Sequence, residues 1–374
     1  MREQHHDVEF CVIGGGMAGL IAAISAARKG TKTALVQDRP VLGGNASSEI
    51  RMWISGAHGD NNHETGILEE IQLENSYRQT YPSYSVWDSV LWEKARFQEN
   101  LLLFLNCSVN KVEHENSRIT GVTGWQMTTE TWHSIRADLF ADCTGDGTIG
   151  AIAGAEFRIG REKRGDHDES IAPETADKKT MGMSCLIQAR ETDRFQEYIP
   201  PTWAYRYNND GEFPEREHTL TGTQNFWWLE VGGTDDSIHD SEDLRDELVK
   251  IAYGVWDHIK NRGDHGADNW VLDWTGFLPG KRESRRFIGD HILTQNDVEA
   301  EGRHFEDIVA FGGWTMDDHF PEGFYKKQGG TIFHPAPSPY GIPYRCLYSK
   351  NIKNLFIAGR NISATHAALS STRV

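Results

Sequence analysis

Apolar residues occur in short runs set off by glycines and polar turns, and the period changes sharply near the start of the chain. Residues 8–13 (Val-Glu-Phe-Cys-Val-Ile) read as a buried strand. Gly14-Gly15-Gly16-Met17-Ala18-Gly19 follows at once, and then Leu20 to Lys29, rich in Ala and Ile, which predicts a helix stopped by Gly30. Thr33-Ala34-Leu35-Val36 is a second strand, so the opening 36 residues read as a βαβ unit. Further on, Trp87, Val90, Leu91 and Ala95 give residues 87–99 one apolar face, and residues 101–105 form an apolar strand. From 109 to 139, β-type runs alternate with the turn residues Asn116-Ser117, Gly121 and Gly124, which predicts an antiparallel meander. Leu244, Leu248, Ile251, Val255 and Ile259 recur at helical spacing, with Asp240 as the expected cap and Gly263 as the stop. A last apolar strand, Leu355 to Ala358, runs into Gly359.

The glycines of the first turn form G-x-G-x-x-G through Gly14, Gly16 and Gly19, directly after a strand and before a helix. The first permits a tight turn, the second lets a pyrophosphate approach the backbone, and the third lets helix and strand pack closely. The helix N-terminus then offers free N–H groups and the positive end of its dipole. Dinucleotide binding is therefore expected. The acidic residue expected about 20 residues later is replaced by Gln37, followed by Asp38. Either side chain can bond ribose hydroxyls.

Charge and composition narrow the alternatives. The chain has 374 residues, with 38 Lys plus Arg against 55 Asp plus Glu, for a net charge of −17. Such a surface repels phosphate backbones, so no nucleic-acid partner is expected. Twelve Trp, 11 Tyr and 16 Phe are too many aromatics for a disordered chain. No run reaches the length of a membrane helix and the start shows no signal-peptide pattern, so no membrane association is expected. Five scattered cysteines with no C-x-x-C predict reduced thiols and a cytoplasmic location. No His, Cys, Asp or Glu set has metal-ligand spacing, so no structural metal is expected.

Several strings carry a family resemblance. Gly43-Gly44-Asn45-Ala46-Ser47-Ser48-Glu49-Ile50-Arg51 resembles the second dinucleotide loop of FAD enzymes of the glutathione-reductase and fumarate-reductase type. Phe140 to Gly147 resembles their third element, an apolar strand entering a Thr-Gly turn, and Asn354 to Asn361 resembles their last strand. With Trp227-Trp228-x-Glu230, Gly280 to Arg286 and Tyr340 to Arg345, nearly the whole chain resembles the FAD-dependent oxidoreductases. The resemblance implies an α/β fold: a Rossmann-type FAD-binding domain with a parallel sheet and a β-meander, plus an inserted α+β substrate domain. It implies FAD-binding segments at 1–160 and 335–374, with the substrate domain at 161–334. A composition change near the charged stretch Arg161 to Asp168 agrees with the first boundary.

Carried over by residue, the resemblance assigns the pyrophosphate to Gly14, Gly16 and Gly19, and the adenosine ribose to Gln37 or Asp38. Gly43, Gly44, Asn45 and Ser47 would line the ribitol side, and the backbone of Val109 would meet adenine. Thr144, Gly145 and Asp146 would lie over the AMP half and Gly359, Arg360 and Asn361 over the flavin half. Arg360 stands where the family has Asp and cannot accept a ribitol hydrogen bond, a part left to Asn361. In the family a Ser-x-x-Arg-Val string opens a helix whose N-terminus points at the flavin. Here Ser370-Ser371-Thr372-Arg373-Val374 ends the chain, which predicts a missing helix and weak FAD retention.

For chemistry, candidate groups are His58, His319 and the cluster Arg282, Arg285 and Arg286. A histidine can act as a base near neutral pH, and arginines suit a substrate carboxylate through bidentate contact; an internal ion-pair network with Glu283 or Asp290 is the alternative. Seven of the 12 Trp fall between residues 200 and 320, which fits a sugar-binding wall or an aromatic core. The expected reaction is hydride transfer between flavin N5 and a small polar substrate: a sugar, polyol or hydroxy acid. The rivals are a flavin-fold RNA-modifying protein and a non-catalytic flavin-fold subunit.

Overall fold

The computed structural model describes residues 1–57, 63–220 and 226–374. Strands β1 (Arg2–Asp7) and β2 (Phe10–Ile13) are followed by helix α1 (Met17–Arg28) and β3 (Thr33–Val36). Helices α2 (Gly66–Arg78) and α3 (Tyr84–Arg96) lead into β4 (Leu101–Phe104), and then come β5 (Cys107–Glu115), β6 (Arg118–Gln126), β7 (Thr131–Arg136) and β8 (Leu139–Asp142). The strand Leu355–Ile357, β8, β2, β3 and β4 form, in that order, a five-stranded sheet in which every pairing is parallel.

Both faces of this sheet are covered, which is why its strands are continuously apolar rather than alternating. Val12, Leu35 and Ala141 face Leu20 and Ile24 of α1 and Val90 and Leu91 of α3. Cys11, Ile13, Ala34, Val36 and Phe140 face the opposite way, onto Val109, Ile119, Val122 and Ile135. That second layer is the expected meander, β5–β6–β7, all antiparallel. The structure adds what the pattern did not predict: polar β1 pairs in parallel with β7 along its whole length. Its charges are tolerated because β1 is an edge strand facing solvent.

Asn354 locks the meander to the sheet. Its side-chain oxygen accepts from Ile119 N at 2.9 Å, and its amide donates to the carbonyls of Ile119 at 2.8 Å and Asp138 at 2.9 Å. The residue is only 2% exposed, so no water replaces those bonds.

The remaining chain builds a second region around the helix Ser241–Asn261, whose Leu248, Ile251, Val255 and Ile259 are buried as the spacing predicts. Asp240 occupies the N-cap position but makes no side-chain capping bond. Met181, Leu293, Val298 and Met316 share a further core with Tyr340, Ile342, Ala368 and Leu369.

Residues His366–Thr372 form a helix capped by the Thr365 hydroxyl accepting from Ala368 N. The expectation that the Ser-x-x-Arg-Val string opens a helix is corrected here: Ser370, Ser371 and Thr372 lie in the last turn of a helix that begins at His366, with Arg373 as its C-cap. Four carboxylates, Glu162, Glu169, Glu283 and Asp318, gather at its N-terminus. Glu162 accepts from His366 N at 3.0 Å and Glu169 from the Thr365 hydroxyl at 2.6 Å. Glu283 and Asp318 flank the His366 ring at 2.8 and 3.0 Å. Carboxylates complement the positive helix end, and Arg286, 1% exposed, balances them through Glu162 at 2.9 Å and Glu283 at 3.1 Å.

Replacing Asn354 with Ala strands the two buried backbone groups of Ile119 at about 1–3 kcal/mol each and removes a partner from the carbonyl of exposed Asp138. Chemical denaturation should show a loss of at least about 2 kcal/mol with an unchanged m-value. A pH dependence follows from His366. Burial alone lowers its pKa, but Glu283 and Asp318 outweigh it and raise the ring to about 10. The unfolded ring titrates near ~6.5, so the folded state binds the extra proton. This contribution is complete below about pH 6.5, erodes as pH rises, and is lost above about 10. Thermal melts of His366→Gln should fall less steeply than wild type between pH 7 and 10.

Candidate functional site

The glycine turn has the shape its spacing predicts. Gly14 has φ +102°, and a Cβ there would overlap the carbonyl of Cys143; a Cβ on Gly19 would overlap the carbonyl of Gly14. The first and third glycines are thus fixed by the packing of the turn, α1 and the end of β8. Gly16 differs: a Cβ there would meet nothing nearer than Gly44 Cα at 4.0 Å. Helix α1 starts immediately after Gly16 with no side-chain cap and no acidic residue in its first turn. Its leading N–H groups and positive dipole end are left for an external anion.

The second loop is held beside the first. Gly43 N donates to Gly15 O at 2.8 Å, and Gly43 and Gly44 take left-handed φ values of 108° and 58°. Asn45 donates to Lys281 O at 3.0 Å, and Ser47 is buried. These loops open into a cavity of about 760 Å³. Gly14, Gly16, Gly19, Gln37, Asp38, Gly43, Gly44, Asn45, Ser47, Val109, Thr144, Gly145, Asp146, Gly359 and Arg360 all line it, so the cofactor residues inferred from the resemblance converge with one exception. Asn361 is fully buried and its amide donates to the Asp142 backbone and side chain, both at 3.2 Å, which removes it as a ribitol ligand.

Between the two ribose candidates the geometry discriminates. Gln37 Oε1 accepts from Gly15 N at 2.7 Å and its amide donates to Val41 O at 3.3 Å, so this side chain braces the glycine turn. Asp38 is exposed and lines the cavity, its carboxylate paired only loosely with Arg39 at 3.7 Å. Asp142 is an organising residue the sequence reading passed over. Completely buried, it accepts from Thr144 N at 3.0 Å, Thr144 Oγ1 at 2.7 Å and Gly150 N at 2.9 Å. Burial pushes its carboxyl above the ordinary range despite those bonds.

Arg360, the departure from the family pattern, is anchored to Gly145 O at 3.0 Å and to Asp146 at 2.7 Å. Lys281 reaches the same carboxylate at 2.8 Å. Burial would raise Asp146, but Arg360 and Lys281 hold it below its usual range. The arginine thus supplies positive charge at the cavity wall while its own position is fixed by an anion.

The cavity wall from the second region carries Trp227, Arg282, Trp314, Asp317, His319 and Arg373. Arg282 is 4% exposed, donates to Ser184 Oγ at 2.8 Å and to Trp227 O at 3.0 Å, and pairs with Glu230 at 3.5 Å. His319 lies between Glu230 at 2.5 Å from Nδ1 and Asp317 at 3.1 Å from Nε2, with the Trp227 ring edge-on at 5.4 Å. Arg373 donates to the Asp317 carbonyl at 2.8 Å and its carboxylate at 3.1 Å. Burial acts to raise both carboxylates, yet His319 with Arg373 holds Asp317, and Arg282 with His319 holds Glu230, below their ordinary values.

The arginine cluster therefore divides. Arg285 donates to Asp146 O at 3.0 Å and lies 5.3 Å over the Phe157 ring, outside the cavity lining. Arg286 is sealed beneath the last helix. Neither lines the cavity, because the chain bends at Ser284 between the short strands Gly280–Lys281 and Arg286–Phe287 and redirects the side chains that follow. His58 lies outside the described residues. Glu230, Asp317 and Arg373 were missed; only the Trp227-Trp228-x-Glu230 string had hinted at the first.

The donor set fits a dinucleotide: an uncapped helix N-terminus, a glycine whose open side faces the cavity, and fixed cations behind it. Among the described residues no helix is long and apolar enough to cross a membrane. No curated protein sequence matches this chain. Solved structures share up to about half of it. L-proline dehydrogenase from P. horikoshii is 17% identical over 43% of this chain and 26% of its own, with a TM-score of 0.25. Glycerol-3-phosphate dehydrogenase from Bacillus halodurans is 14% identical over 50% and 41%, at 0.32. A flavoprotein/dehydrogenase from Cytophaga hutchinsonii is 14% identical over 50% and 46%, at 0.32. The matches thus span a quarter to a half of those proteins. The family model described as FAD dependent oxidoreductase matches residues 9–374. The chain, with its cofactor loops converging on one cavity, belongs to the FAD-dependent oxidoreductase family.

Proposed function

We propose that this protein oxidises or reduces a small polar substrate, a sugar, polyol or hydroxy acid, bound against the Arg282–His319 wall. The FAD-binding part is formed by residues 1–160 and 335–374, with 161–334 supplying most of the substrate side, and the enzyme works in the cytoplasm with its thiols reduced. Bound FAD supplies a two-electron acceptor or donor of hydride at its N5. The observation that carries the reading is that His319 and Arg282 line the same cavity as the uncapped start of α1.

Each wall residue has a distinct part. Arg282 cannot be deprotonated at working pH and presents fixed positive charge suited to an oxyanion or carboxylate. Its bonds to Ser184 and Trp227 prevent it from swinging away. The His319 ring takes or gives the substrate hydroxyl proton at Nε2 in place of its bond to Asp317. Glu230 fixes the ring orientation through Nδ1, the arrangement by which a carboxylate steadies a catalytic imidazole. Trp227 and Trp314 offer apolar faces and exclude water. Asp38 would take the adenosine ribose hydroxyls.

Anaerobic mixing of the flavin-loaded protein with a panel of sugars, polyols and hydroxy acids should bleach the oxidised flavin with at least one of them. His319→Gln should retain FAD and slow that bleaching by about 10²–10⁴-fold. Bleaching at the wild-type rate would remove His319 from the chemistry, and no bleaching by any compound would remove the substrate class. Gly16→Leu points a side chain into the cavity without a backbone clash. It should leave the melting of the flavin-free protein unchanged and reduce FAD occupancy about tenfold or more, measured by absorbance after denaturation.

A further inference from the structure

The sequence has no metal-ligand spacing, yet the fold gathers four such side chains far apart along the chain. Asp210, His218, His258 and His265 each turn one ligand atom toward a common point, all within 4.8 Å of one another. His258 Nε2 is 2.8 Å from Asp210 Oδ1 and 3.0 Å from His265 Nε2. Asp210 Oδ1 is 3.4 Å from His265 Nε2 and 3.9 Å from His218 Nδ1. Ligands around a tetrahedral zinc ion, with bonds of about 2.0–2.2 Å, stand about 3.3–3.6 Å apart. None of the four lines the FAD cavity.

The surrounding residues are arranged as such a site requires. His258, at 0% side-chain exposure in the helix Ser241–Asn261, has Nδ1 at 3.3 Å from the Tyr207 carbonyl. A carbonyl only accepts, so Nδ1 donates to it, which leaves Nε2 to meet the Asp210 carboxylate and the His265 nitrogen through either a shared proton or a bound cation. A backbone carbonyl fixing the ligand tautomer is the usual partner of a metal-bound histidine. Asn209 and Glu212 form a reciprocal capping box on the short turn that presents Asp210. Gly263 leaves room for His265: a Cβ there would overlap His265 Nε2, the ligand atom itself. Phe213 packs against the rings of His218 and His258 at 4.8 and 4.9 Å. A recess of about 360 Å³ bounded by His218, Asp264, His265 and Trp270 gives an ion access.

We propose that Asp210, His218, His258 and His265 bind a divalent transition-metal ion of the zinc class. Three imidazoles and one carboxylate suit zinc or cobalt rather than calcium or magnesium, which take oxygen ligands. All four ligands come from the protein, so the ion's role is structural. It ties the turn at 210 and the loops at 218 and 265 to the end of the long helix, and Phe213 passes that order to Trp228, stacked 6.2 Å away and next in sequence to the cavity residue Trp227.

The full chain, made without a polyhistidine tag, stripped with chelator and titrated with Co²⁺, should bind one equivalent and show the intense visible bands of tetrahedral cobalt. Zn²⁺ should displace it and raise Tm by about 3 °C or more. Asp210→Asn, His265→Ala and Gly263→Ala should each weaken Co²⁺ binding about tenfold or more. The FAD absorbance of each variant reports that it has folded. Gly263→Ala keeps all four ligands and acts only by displacing the His265 ring. Absence of stoichiometric binding in the wild type overturns the proposal. So does binding that persists undiminished in Asp210→Asn and His265→Ala, which would leave the cluster a proton-linked pair of His258 with Asp210.

Discussion

The cofactor site rests on a steric constraint: three backbone segments approach more closely than any Cβ permits. Gly14 sits against the Cys143 carbonyl at the end of β8, and Gly19 of α1 sits against the carbonyl of Gly14. This approach sets α1 at the carboxyl end of the parallel sheet, where ligands of open α/β sheets bind. It also leaves the helix start uncapped. A side chain at either glycine would push the helix away and with it the oriented N–H groups. Gly43 extends the arrangement by bonding to Gly15, so the second loop inherits its position from the first.

Around that centre, buried charge is organised rather than avoided. Isolated ions in such an interior would be strongly destabilising. Here each has partners of opposite sign: Asp146 with Arg360 and Lys281, Glu230 with Arg282 and His319, Glu162 and Glu283 with Arg286. The first two groups face the cavity, while the third sits beneath the final helix. The same pairing principle therefore serves two ends, a charged wall in one place and a buttress for a helix N-terminus in the other. Removing the shared carboxylate Asp146 would take the ion-pair partner from both Arg360 and Lys281, at a cost above that of losing a surface ion pair.

The two kinds of site also differ in how locally they are built. The glycine turn needs a few consecutive residues, because a strand, a tight turn and a helix start follow one another in the chain. Val109, Thr144 and Gly359 then come into place because they follow strands that the five-stranded sheet aligns side by side. The wall formed by Arg282, Asp317 and His319, and the cluster of Asp210, His218, His258 and His265, have no such local rule. Their members are joined only by how short strands, turns and one long helix pack.

Local pattern alone determined the βαβ start, the meander, the amphipathic helix near 250 and the glycine turn, since each depends on hydrophobic period and backbone freedom within a few residues. Tertiary structure decided the rest. It drew polar β1 onto the edge of the meander, where solvent accepts its charges, and it spent Gln37 on the glycine turn, leaving Asp38 on the rim. It separated Arg282 from Arg285 and Arg286, because the chain bends at Ser284 and only Arg282, before the bend, lines the cavity. It placed the Ser370 to Arg373 string at the end of the last helix, since Thr365 supplies the cap that starts that helix earlier. The convergence of three histidines and an aspartate was invisible along the chain for the same reason: their proximity is a property of packing between distant segments, which sequence spacing does not encode.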